Sequence, residues 1–224
     1  MRVATIRAMS SRPPRPNLGT TIKAVMRDVA RQLPEFAHVD ASRILVVAGE
    51  ARRASRATVR PLAFADSRDR FSNDRKRAKP VVQIAGRRML YVVSFRPMFF
   101  LRSGPEKRVE TILHELFHMS TRFDGTLHRG RRHARLPGRA FQEAFAPLVD
   151  RYLARAPAQL LHALAHDGEA IMRHWLERPA PFYHVDGSGQ PTRPGRRVLF
   201  TEAQLYYGPV RVITHAARSH AGAK

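Results

Sequence analysis

The chain has no cysteine. Disulfide bonds, thiolate metal ligands and a cysteine nucleophile are therefore excluded, and any metal would have to be held by His, Asp or Glu. No apolar run approaches the roughly 18 residues a membrane-crossing helix needs, so no membrane span is expected. Residues 1–17 are rich in Pro and Arg but lack an apolar stretch. They are expected to be a disordered leader rather than a secretory signal, which leaves the cytoplasm as the expected location. No internal repeat is visible.

Acidic residues are scarce, 18 against 40 basic ones, and the formal net charge is +22. Lysine is scarce as well, because 35 of the 40 basic residues are arginine. A field of this size attracts polyanions such as nucleic acid. Basic clusters occur at Arg52-Arg53, across residues 68–79, and at Arg129-Gly130-Arg131-Arg132. An arginine surplus also arises from a GC-rich coding sequence, so the charge fits a nucleic-acid partner and a non-specific basic surface alike.

What the chain does contain is enough for a core. Apolar residues make up 43% of 224, a length that suits one domain or one domain with an appendage. The most informative stretch is His114-Glu115-Leu116-Phe117-His118, an instance of H-E-x-x-H. Two histidines four apart lie one above the other on a helix, so both rings can reach one metal ion. The glutamate between them can take a proton from a metal-activated water. The surrounding pattern is helical over residues 105–120, with Ser103-Gly104-Pro105-Glu106 reading as a capping box. At about 100° per residue, Val109, Ile112, Leu113, Leu116, Phe117 and Met119 fill one arc. His114 and His118 fall outside that arc with Glu110 and Thr111, and Glu115 lies on its flank.

Elsewhere, residues 18–33 read as an amphipathic helix ended by Pro34, and residues 44–48 as a buried strand. A second strand is expected over 58–64, weakened by Pro61, then a charged loop over 66–79. Residues 80–85 and 89–95 read as a hairpin about Gly86-Arg87-Arg88. A loop follows over 119–137, a helix over 139–155, and a second helix over 160–176 that Gly168 interrupts. Residues 179–196 are a turn-rich linker, and 198–200 and 210–214 are short strands around a connection at 204–209. The fold class is α+β, with a small sheet of three or four strands packed on the motif helix and helices before and after it.

A catalytic zinc site commonly has three protein ligands and one open position. Asp124, His128, His133 and Glu143 compete for the third place. The metzincin extension needs Gly at 121 and His at 124, where this chain has Thr121 and Asp124. Glu143 falls opposite the apolar stripe of its helix (Phe141, Phe145, Leu148, Val149 and Tyr152), which points it away from a packed site. His128 and His133 lie in a loop long enough to fold back over the metal. His162 and His166 are also four apart, but no glutamate separates them.

The order of several elements resembles the phage-associated zinc metallopeptidases, small zincins related in outline to the SprT-like and minigluzincin peptidases. The matching residues are Phe95-Arg96-Pro97-Met98-Phe99-Phe100, Pro105-Glu106, the H-E-x-x-H, Phe123-Asp124-Gly125-Thr126-Leu127, Gly130-Arg131, His133 and Phe141. The resemblance covers about residues 18–155, which it marks as a zincin-like domain followed by a C-terminal extension over 156–224. It implies His133 as third ligand, ahead of His128 and then Asp124. It gives Asp124 a structural role or one as acceptor of a ligand ring N–H, the alternative being a plain Asp-Gly turn.

The expected activity is therefore zinc-dependent hydrolysis of a peptide or protein substrate. His114, His118 and His133 hold Zn2+, Glu115 is the general base, and the strand over 89–95 offers its edge to substrate. Two rivals stand beside it: a nucleic-acid-associated SprT-like protein recruited through its basic surface, and a non-catalytic metal-binding domain.

Overall fold

The computed structural model describes residues 15–49, 56–62, 80–97, 103–131, 133, 135–136, 138–179, 184–185, 187–188, 190–193 and 198–212. The expected loop over 66–79 and residues 1–14 of the expected leader lie outside these. Among the described residues there are four α-helices, α1 Leu18–Gln32, α2 Pro105–Phe117, α3 Gly138–Leu153 and α4 Ala158–Leu164. None is long and apolar enough to cross a membrane. The strands are β1 Ile44–Ala48, β2 Ala57–Pro61, β3 Val81–Ile84, β4 Arg87–Arg88, β5 Tyr91–Phe95, β6 Gly168–Trp175, β7 His184–Val185, β8 Pro191–Arg193, β9 Leu199–Phe200 and β10 Leu205–Val212. The protein is thus mixed α+β, with small sheets of two or three strands.

The central sheet has the order β1-β5-β2, with β1 parallel and β2 antiparallel to β5. Side chains alternate across a strand, and here the alternation divides two cores. Ile44, Val46, Ala48, Val59, Tyr91, Val93 and Phe95 face the main core with α1, α2 and α3. Leu45, Val47 and Val92 face a smaller one with Leu62, Val82, Met89 and Phe200. A strand buried on both faces reads as a continuous apolar run, which is why β1 is visible in the sequence.

The strand over 89–95 was expected to present an edge, but β5 is the middle strand and both its flanks are paired. The edge is β2. Leu62 N–H bonds Leu90 O and Arg96 N–H bonds Arg56 O, so the even positions of β2 face β5. In an antiparallel ladder the odd positions, Ala57, Val59 and Pro61, then turn their backbone outward. Pro61 is tolerated because no ladder bond needs its nitrogen. The expected hairpin is also shorter than its sequence suggests. Ala85 and Gly86, with φ of 49° and 72°, make the turn, and β3 pairs with the two-residue β4 before the chain leaves to form β5.

The helix expected over 160–176 is the largest departure. Only α4 is helical; Gly168, with φ of 106°, ends the helical path, and β6 follows. β6 pairs antiparallel with β10 along its whole length, from Leu205↔Trp175 to Val212↔Gly168. That pairing also makes residues 205–209 strand rather than connection. Tertiary pairing overrides helix propensity here, because Ala170 and Met172 bury at a period of two against Val210 and Val212. The C-terminal region shares the main core of residues 18–155 through Leu164 and this hairpin. Arg108, fully buried on α2, donates to the carbonyls of Leu164 and His166. On the other side, Ile171 N–H bonds Pro16 O at 2.9 Å.

Candidate metal centre

α2 begins at Pro105 with Gly104 as N-cap and no side-chain capping bond, so the expected capping box is not formed. Proline occupies the first helical position and leaves Ser103 one residue too early to cap. Val109, Ile112, Leu113 and Leu116 are fully buried on the core arc. His114 and His118, the latter at the C-cap, project together from the opposite side.

The chain then turns tightly. Met119 bridges Leu127, Ser120 N–H bonds Thr126 O, and His128 N–H returns to His118 O at 2.8 Å. Gly125 has φ of 84°, which favours glycine. Phe123, at φ 47°, is held in the left-handed region by burial and by ring contact with Tyr91 at 5.1 Å. The Tyr91 hydroxyl donates to Thr126 O at 2.8 Å and accepts from Gly125 N–H at 3.1 Å. This loop supplies the reversal that a glycine at 121 would have provided. It delivers a short 3-10 turn, Arg129–Arg131, and then His133 back over α2.

The outcome is a compact triangle. The Nε2 atoms of His114 and His118 are 3.1 Å apart, and each lies 3.2 Å from Nε2 of His133. Zinc–nitrogen bonds of about 2.0–2.1 Å in tetrahedral geometry set ligand nitrogens roughly 3.3–3.4 Å apart, so the spacing suits one metal ion. His114 and His118 are half-buried and His133 is exposed. Nδ1 of His118 donates to Arg131 O at 2.7 Å, which fixes its proton there and leaves Nε2 with its lone pair toward the other two rings. The Arg131 guanidinium lies 4.3 Å from the Phe117 ring centroid and ties the 3-10 turn to α2. Phe141, from α3, packs against all three rings at centroid distances of 4.9, 5.7 and 4.9 Å for His114, His118 and His133.

Burial, followed by the charges of His118, His133, Arg56 and Lys107, pushes the His114 pKa down to about 3. His118 is pushed down to about 4, again chiefly by burial. Both rings are therefore neutral near pH 7 and present lone pairs, the state in which imidazole binds a metal. Glu115 is buried, and burial raises its pKa to about 8 against the opposing effect of a bond from Val59 N–H. That amide is one of the outward-facing groups of β2.

Of the four candidates for third ligand, His133 alone joins the pair among the described residues. The His128 side chain is elsewhere, with Nδ1 buried and unbonded. Asp124 accepts from Thr126 N–H and its hydroxyl and pairs with Arg122, which makes it a turn former. The acceptor of a ligand ring N–H is the Arg131 carbonyl instead. Glu143 is 64% exposed and paired with Arg139. Sequence reasoning missed the Arg131 carbonyl, the Phe141 backing and the Val59 amide. The first two carried a signal in Gly130-Arg131 and Phe141; the third depends on strand pairing alone. Comparison with protein-family models, with curated proteins and with solved structures finds no match.

Proposed function

We propose that the protein is a zinc-dependent metallopeptidase acting on a peptide or protein substrate. The observation that carries this reading is the convergence of three imidazole Nε2 atoms around a helix that also carries Glu115 between two of them. Three imidazole nitrogen donors suit zinc, whose hydrolytic sites keep a fourth position for water. Zinc bound there supplies Lewis-acid polarisation of water and of the scissile carbonyl.

The remaining work falls to the chain's own residues. His114, His118 and His133 hold the ion, the Arg131 carbonyl keeps His118 in the ligating tautomer, and Phe141 shields the back of the cluster from solvent. Glu115 accepts the proton of the attacking water and passes it to the leaving amine. A general base works best with a pKa near the operating pH, and the buried environment of Glu115 moves it in that direction. The Val59 amide needs only one of the two carboxylate oxygens, so the other can face the water. Because β2 is an edge strand and its Val59 amide meets Glu115, an extended substrate would run along β2 rather than β5.

Glu115→Gln tests the reading. The variant should keep one metal per chain and lose peptide cleavage by roughly 100-fold to 10,000-fold, the usual contribution of a general base. Metal analysis and a peptide-library assay read the two quantities. Undiminished cleavage by the variant would remove Glu115 from the mechanism. A zinc-loaded parent that cleaves nothing would end the peptidase reading.

A further inference from the structure

A second feature shares no residue with the three histidines. A cavity of about 150 Å3 lies where the start of α1 meets the β6–β10 hairpin. Asn17, Gly19, Thr20 and Lys23 line it from α1, and Arg173 and Tyr207 from the hairpin. Two of its lining residues are cations and none is an acid.

Lys23 has no hydrogen bond or ion pair among the described residues. Burial, then the charges of Arg173 and Arg27, lower its pKa, and Asp40 opposes them more weakly. The ammonium therefore sits in a net positive field that Asp40 offsets only in part. Arg173 is 19% exposed and rigidly held. Its Nε donates to the Tyr207 hydroxyl at 2.8 Å and its Nη2 pairs with Glu202, which leaves Nη1 facing no protein acceptor among the described residues. At the mouth of α1, Asn17 accepts the Thr20 amide, while the earlier amides have no acceptor inside the helix. Donors thus approach the cavity from two sides, the Lys23 ammonium from α1 and the Glu202-paired guanidinium of Arg173 from the hairpin.

We propose that this cavity binds a phosphate group, with Lys23 and Arg173 as its charged donors and the Gly19 amide at the start of α1 as a neutral one. A planar carboxylate offers two oxygens in one direction. A phosphate offers acceptors in several directions and carries more charge, which suits donors that converge from a helix start and from a hairpin. The phosphate can be free, on a small ester or in a nucleic-acid backbone; the recognition chemistry is the same.

The test uses the full chain at constant ionic strength, because a net charge of +22 attracts any anion. Inorganic phosphate is titrated while the amide resonances of Gly19 and Thr20 are followed. Those two should shift and saturate. Lys23→Gln should weaken binding roughly tenfold, the loss of about one charge-assisted hydrogen bond, and Lys23→Arg should restore it. Arg139→Gln, the same change of charge at a side chain 94% exposed, should leave binding unaltered. Shifts that never saturate, or equal weakening by Lys23→Gln and Arg139→Gln, would overturn the site in favour of diffuse attraction. A short single-stranded oligodeoxynucleotide then separates the sources. Displacement of phosphate by the oligonucleotide, lost in Lys23→Gln, supports a nucleic-acid backbone. Phosphate binding that the oligonucleotide does not disturb supports a free phosphate or a small phosphate ester.

Discussion

Two histidine pairs in this chain have the same spacing and opposite fates. His114 and His118 both project from α2, and their Nε2 atoms approach to 3.1 Å. His162 lies exposed on α4, but that helix stops at Leu164 and His166 is already beyond it. The ring of His166 turns to its own chain, with Nε2 3.3 Å from Glu169 O, and its carbonyl accepts the Arg108 guanidinium. Spacing alone therefore does not make a metal pair. The converging pair has a helix that persists to the second histidine, an aromatic wall behind both rings and a loop that returns a third imidazole. Among the described residues the other pair has none of these, because its helix gives way to β6.

Substitution breaks this comparison most sharply. His118→Ala should reduce bound metal from about one per chain to a trace. Loss of an outer hydrogen-bond partner already costs 10–100-fold in metal affinity, and loss of a ligand costs more. The double change His162→Ala and His166→Ala should leave metal content at its parent level. Elemental analysis after gel filtration reads both. Equal loss in the two variants would mean that the metal is held by scattered histidines and not by the triangle.

The comparison also marks how far sequence patterns reach. The division of faces on α2 depends on positions three and four apart, so His114, Glu115 and His118 could be placed from residues alone, as could α1 and β1. The third histidine was one candidate among several until a family resemblance ranked it, because its position depends on a loop held by Tyr91, some 35 residues away, and by Gly125 and Asp124. Helix and strand could not be told apart over 168–175, where Ala170, Ile171 and Met172 satisfy either period until β10 pairs alongside. The central position of β5, and so the Val59–Glu115 contact, required knowledge of which strand pairs with which.

A change of pH should expose the burial of the His114 and His118 rings in metal-free protein. The folded pKa values of His114 and His118, about 3 and about 4, lie below the ordinary value of 6.5. The unfolded chain then binds more protons than the folded one between about pH 6.5 and those lower values, so folding stability falls as pH drops through that window. Glu115 acts with the opposite sign. Its folded pKa of about 8 exceeds its ordinary 4.5, so the stability it contributes is full below about 4.5 and is lost as pH rises through 8. Denaturant unfolding at several pH values should show the acid slope, and His114→Ala should flatten it. An unchanged slope in that variant would show that the ring is not buried in the metal-free fold.

The smallest effect belongs to Glu143, the acidic candidate on α3. Its carboxylate accepts from Arg139 at 2.9 Å on a part of the helix where the two side chains are 64% and 94% exposed. A pair in that setting is screened by water and salt, and four-apart pairs on exposed helices contribute about 0.3–0.5 kcal/mol. Glu143→Ala should therefore shift the unfolding free energy by no more than about 0.5 kcal/mol and leave metal content untouched. Phe141, two residues earlier on α3, lies against the histidine rings while Glu143 points into solvent. Measurable loss of metal in Glu143→Ala would mean that α3 rotates to bring its polar side to the ion, and the triangle of histidines would then be only part of the site.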